Sequence, residues 1–163
     1  MSDWKRNRLT ERLNLNVPII QAPMAGASTP AMATAVSRGG GLGSLGAGKQ
    51  LPDKTRVDCQ TIRAETNGAY NLNFFAHEEP EVDLAQSESM REQIKPYFEE
   101  FGLKDVPTAE VTYEPFNENH LAAVLDMMPP VVSFHYGLPR ADLFKAVKDA
   151  GLFTISSATN LRE

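Results

Sequence analysis

Val17-Pro18-Ile19-Ile20-Gln21-Ala22-Pro23-Met24-Ala25-Gly26 is the stretch whose reading decides the fold. Val17 to Ile20 is a short apolar run that stops in a loop of small residues. A continuous apolar run of this length predicts a strand buried on both faces, as in a parallel sheet. Pro23 cannot donate to a ladder, so the strand ends before it. Gly26 lets backbone approach something flat or bulky. Ser28-Thr29-Pro30 then predicts a helix start, a hydroxyl cap followed by proline in the first turn. The order strand, polar loop, helix places a ligand-binding loop at the carboxyl end of the strand.

The same rhythm recurs along the chain. A small-residue helix over 31–38 ends at Gly39-Gly40 in a left-handed cap, and Gly41 to Gly46 forms a second strand. Pro52 opens a helix to about Thr66, with Val57, Ile62 and Ala64 inward. Residues 69–75 form a third strand that contains two asparagines. Ser87 to Phe101 is helical with a kink or restart at Pro96. Residues 102–115 are irregular, and Asn117 caps a helix with Leu121, Val124 and Leu125 inward. Residues 131–134 form a fourth strand. A helix from Pro139 then packs Leu143, Phe144 and Val147 and closes at Gly151, and residues 152–157 form a fifth strand. Asn160 caps the start of another helix. Five strands separated by helices imply parallel pairing through right-handed crossovers. One domain, 1–163, is expected, with an irregular helical excursion at about 77–116.

Composition narrows the function. The chain of 163 residues is 42% hydrophobic and 23% charged, ordinary for a globular domain. A net charge of -5 argues against nucleic acid or an acidic membrane as a partner. No apolar run approaches the roughly 20 residues of a membrane span. One cysteine, Cys59, allows no internal disulfide and reads as an ordinary helix residue. A polar start without a signal peptide completes a cytoplasmic reading.

Two glycine motifs lack their context. Gly41 to Gly46 matches G-x-G-x-x-G, but its glycines lie within a strand instead of between strand and helix. Gly43 to Lys49 fits G-x-x-x-x-G-K, yet Gln50 stands where a P-loop needs Ser or Thr. Two readings remain: close packing of the strand against its neighbours, or a loop that exposes backbone N–H groups and the Lys49 cation near the strand ends. His77 and His120 read as structural. His135 stands at the carboxyl end of a buried strand, where a neutral imidazole can move a proton or satisfy a loop carbonyl. No metal-ligand cluster stands out.

Five segments in order carry a resemblance: 18–26, 40–46, Asn71-Leu72-Asn73-Phe74-Phe75, Val132-Ser133-Phe134-His135-Tyr136-Gly137-Leu138-Pro139, and 154–159. From about Leu13 onward the chain resembles nitronate monooxygenase, formerly called 2-nitropropane dioxygenase. The resemblance implies a TIM-type (β/α)8 barrel with FMN at its carboxyl rim. Only about the first five strands are present, so the barrel is incomplete. Ala22, Pro23 and Met24 would lie against the flavin ring, mainly through backbone. Asn73 would hydrogen-bond the flavin, and His135 would be the base that removes the α-proton of a nitroalkane. Substrates would be a nitronate or nitroalkane and O2, with a carbonyl compound and nitrite as products. The strands that bring the phosphate-gripping loops are missing. Two unpaired edges would then favour self-association. The alternatives are an FMN-dependent enoyl-acyl-carrier-protein reductase and a non-catalytic half-barrel fragment.

Overall fold

The computed structural model describes residues 4–79, 81, 83–108 and 113–162. The chain divides into two compact units, 78–112 and the remainder. In the larger unit the elements run α1 (Arg8–Leu13), α2 (Pro30–Arg38), β1 (Gly43–Gly46), α3 (Pro52–Glu65) and β2 (Tyr70–Phe75). After the smaller unit follow α5 (Glu118–Met127), β3 (Val131–His135), α6 (Ala141–Asp149) and β4 (Phe153–Ser156). The smaller unit carries α4 (Leu84–Glu100).

The sheet is parallel throughout, in the order β1-β2-β3-β4. Sequential order with every crossover helical is the winding that the alternating pattern dictates. Register fixes two faces. Leu45, Leu72, Phe74, Val132 and Phe134 are buried with Ala33 of α2, Ile62 of α3, Val124 of α5 and Val147 of α6 in one apolar core. Phe116 locks this layer edge-to-face against Phe74 at 5.0 Å and Phe134 at 5.2 Å. Each such pair adds about 0.5–1.5 kcal/mol beyond area burial. The alternate positions, Ser44, Asn71, Asn73 and Ser133, share the other face.

The first expected strand is a correction. Only Ile20 pairs, through a single bridge to Leu42. The cause is local: Pro18 has no N–H, Ile19 N donates back to Val17 O, and Asn16 and Val17 both donate to Gly40 O. Ile19 and Ile20 are therefore exposed instead of buried on both faces. The sheet has four strands plus this bridge, where five were expected.

Thr29 caps α2 and Gly40 supplies the left-handed residue after it, both as expected. The other departures are smaller. On α3, Val57 and Ala64 face outward; Thr55, Asp58, Cys59 and Ile62 form the buried stripe at i, i+3, i+4 and i+7. On α5, Leu125 is exposed and Ala123 takes its inward place. Asp83 caps α4, which begins at Leu84, three residues upstream of the expected start, and the helix continues through Pro96 without restarting. Residues 109–112 of the expected irregular stretch lie outside the described residues. Cys59 is a core residue, its thiol pushed up to about 11, first by burial. Among the described residues no helix is long and apolar enough to cross a membrane.

Asn117 caps α5 as expected, and His120 closes a capping box by accepting Asn117 N–H at its Nδ1. His120 is buried against Phe74 and Phe116, and burial holds its pKa below the ordinary 6.5. The folded state thus binds fewer protons at this group than the unfolded chain. Stability is full above about 6.5 and falls as the pH drops through and below that value. His120→Gln keeps a capping acceptor and removes the titration. Urea midpoints between about pH 7 and 5 should therefore fall less steeply for the variant than for the natural chain. Equal slopes would contradict this assignment.

Candidate active site

The loop after Ile20 is built on two side chains. The Gln21 carboxamide donates to Ser44 O at 3.1 Å and accepts Ser44 N–H at 3.2 Å. It so continues the interrupted ladder with a side chain in place of backbone. Gln21 also donates to Ser28 Oγ at 3.3 Å. Ser28 Oγ accepts Met24 N–H at 2.9 Å and donates to Ala22 O at 3.1 Å. Ser28, expected as part of a helix cap, instead ties the 22–28 loop into a ring. The backbone groups of Ala22 and Met24 are largely spent within this ring, since Met24 N also reaches Ala22 O and Met24 O accepts from Ala27 and Ser28. Met24 itself is 47% exposed.

The loop lies close against β1. A Cβ on Gly46 would stand 2.7 Å from Ala25 N, so only glycine fits there. Gly43, on the opposite face, would drive a Cβ to 2.0 Å from Ala33 O of α2. Gly43 and Gly46 therefore serve close packing on both sides of the strand, one of the two expected readings.

Gly46 pairs in register with Asn73, and Asn73 with Ser133. Asn71 Nδ2 donates to Ser133 Oγ at 2.9 Å and Ser44 Oγ at 3.3 Å, and Asn73 Nδ2 donates to Ser133 Oγ at 2.9 Å. This buried polar file explains the two strand asparagines. Among the described residues Asn71 Oδ1 is buried without a hydrogen-bond partner, an acceptor in surplus on this face.

His135 ends β3, two residues beyond Ser133. Its Nδ1 meets Ser157 Oγ at 3.0 Å, and Ser157 N donates to Phe134 O at 3.1 Å. Tyr136 follows in the left-handed region at φ 66, a conformation that bulky residues rarely adopt. Its exposed ring lies 5.5 Å from Phe75, which also contacts Tyr113 at 5.3 Å. Lys49 Nζ sits 4.5 Å over Tyr113.

The 22–28 loop lies against Gly46, the last residue of β1, which pairs with Asn73 within β2, and His135 is the last residue of β3. No direct bond joins His135 to Asn73 among the described residues. Sequence reasoning missed Gln21, Ser28 and Ser157 as organisers, and missed the Phe75–Tyr113–Tyr136 cluster. A polar residue directly after a strand was the available signal for Gln21 and Ser157. No group of three or more His, Cys, Asp or Glu among the described residues could hold a metal ion.

Comparison with known proteins identifies the lineage. A model of the nitronate monooxygenase family matches residues 6–163. The chain belongs to the nitronate monooxygenase family. It is 41% identical over its whole length to nitronate monooxygenase of Paraburkholderia phytofirmans, covering 45% of that protein. Identity to the Pseudomonas aeruginosa enzyme of that name is 36%, over 96% of this chain and 45% of that one. The chain spans slightly under half the length of the curated relatives it matches. Among solved structures, nitroalkane oxidase of Streptomyces ansochromogenes superposes with TM-score 0.74 at 32% identity, over 96% of this chain and 44% of that one. A FabK variant (M276A) of Thermotoga maritima superposes with TM-score 0.66 at 25% identity, over 95% and 40%.

Ser133 accepts from two buried amides, so Ser133→Ala leaves both without that acceptor. A loss of about 1–3 kcal/mol is expected in urea unfolding. An unchanged midpoint would show that the file is not a connected network.

Proposed function

We propose that this chain supplies the flavin-ring wall of an FMN-dependent nitronate monooxygenase, within a full-length family protein. The observation that carries the reading is the close seat of the 22–28 loop on Gly46, beside the Asn71–Ser133–Asn73 file. A flat heteroaromatic ring needs an apolar wall edged by a few fixed polar groups. Met24 and Pro23 offer the wall, and the asparagine amides, with one acceptor in surplus, offer the edge. The residues present therefore fit a flavin. With Ala22 and Met24 backbone groups committed within the loop, these residues would hold the ring by packing more than by hydrogen bonds. Asn73 would supply the polar contact.

Bound FMN would carry electrons from the nitronate to O2, giving a carbonyl compound and nitrite. The protein's own part is to orient the ring and to present His135 to the nitro group. His135 can serve there as a base at the α-carbon or as an N–H donor to the oxygens. We infer further that the four-stranded parallel sheet is the first part of a (β/α)8 barrel. The rest of a full-length protein closes its two edges and adds the phosphate-binding loops. A cytoplasmic enzyme is consistent with a single buried cysteine.

A full-length protein carrying this sequence should retain FMN and release nitrite from a preformed alkyl nitronate in air. Asn73→Leu should weaken flavin binding by about tenfold, the worth of one good hydrogen bond. Oxidation of NADH with an enoyl thioester, and no reaction with nitronate, would replace this reading with the enoyl reductase.

A further inference from the structure

The contact between His135 and Ser157 decides where the imidazole carries its proton. Ser156 Oγ donates to Gly137 O at 3.2 Å and lies 3.5 Å from Phe134 O, which already accepts Ser157 N–H. Ser157 O is reached by Ser156 Oγ as well, at 3.4 Å. Ser156 thus has one hydroxyl proton for these carbonyls, with Gly137 O the nearest, and among the described residues the Ser157 hydroxyl bonds to none of them. Among the described residues the one partner of the Ser157 hydroxyl is His135 Nδ1. A serine hydroxyl has one proton to donate, and an unprotonated imidazole nitrogen is a strong acceptor for it. Neutral imidazole of histidine also favours the Nε2–H tautomer intrinsically, so both preferences point the same way.

We infer that Ser157 is a positioning residue: its hydroxyl donates to His135 Nδ1 and so fixes the neutral ring as the Nε2–H tautomer. No hydrogen bond reaches Nε2 among the described residues, so that N–H is available at the rim. The consequence rests on the proposed function. In this form His135 donates to an anionic oxygen of the substrate and has no free lone pair with which to take a carbon-bound proton. No proton leaves the ring. The role differs from the base that the family resemblance implied, and the base role would require the opposite tautomer, with Ser157 accepting from Nδ1–H.

The test reads the proton directly. The 163-residue chain, labelled with 15N, is taken to a pH at which its histidines are neutral. Long-range proton–nitrogen spectra are recorded, and the three imidazoles are assigned by single His→Gln variants. The expected result for His135 is an unprotonated, hydrogen-bonded Nδ1 and a protonated Nε2. In Ser157→Ala the Nδ1 shift should move toward that of a nitrogen without a protein donor, and Ser157→Thr should restore it. A protonated Nδ1 in the natural chain would overturn the inference, as would a spectrum unchanged by Ser157→Ala. The functional reading is tested separately. In a full-length form, His135→Leu should lower turnover of preformed nitronate at least tenfold if the donor contacts substrate. Unaltered nitronate turnover beside the expected spectrum would remove the substrate contact and leave the tautomer standing.

Discussion

One side-chain amide ties the 22–28 loop to the sheet. Pro18 and the turn at Val17–Ile19 leave the first strand with one bridging residue. Gln21 compensates by pairing its carboxamide with both polar groups of Ser44, as a neighbouring strand would. The same amide reaches Ser28, whose hydroxyl closes the 22–28 ring. That ring then rests on Gly46, where no larger residue fits. Two backbone bonds, Gln21 N–H to Leu42 O and Leu42 N–H to Ile19 O, tie the same segment to the sheet. A loop that carries a binding surface has to be over-determined in this way, because loop backbone has no ladder of its own.

Most of the fold was legible because it follows from periodicity and punctuation. Apolar runs at 43–46, 70–75 and 131–135, glycines at 40 and 151, and the caps at Thr29 and Asn117 each name an element. The first strand misled because its four residues are apolar enough for a buried strand. Hydropathy does not record that Pro18 forfeits a donor or that Ile19 N turns back on Val17. Val57 and Ala64 misled in a similar way. Which stripe of α3 faces inward depends on how it packs beside its neighbours, and the buried positions include polar Thr55 and Asp58.

The site was legible in its places more than in its bonds. The resemblance named Asn73 within β2, His135 at the end of β3 and the 22–24 loop that lies against Gly46. Spacing alone could not show that Asn71 and Asn73 share Ser133, since Ser133 is sixty residues away along the chain. Ser157 is likewise visible only once β3 and β4 lie side by side. The left-handed Tyr136 beside His135 is the kind of backbone strain that concentrates where a surface is shaped for a ligand. The two faces of the sheet also divide its labour. The apolar face supplies cohesion through aromatic contacts, and the polar face supplies buried hydrogen bonds.

The central claim is that the 22–24 loop and Asn73 face a flavin ring. The crystal structure of a full-length protein carrying this sequence, grown with FMN, tests it most directly. The account requires the isoalloxazine in van der Waals contact with Pro23 and Met24, the Ser28 ring intact, and the Asn73 amide within hydrogen-bond reach of the ring. A flavin bound away from these residues, or a 22–28 loop detached from Gly46, would contradict it.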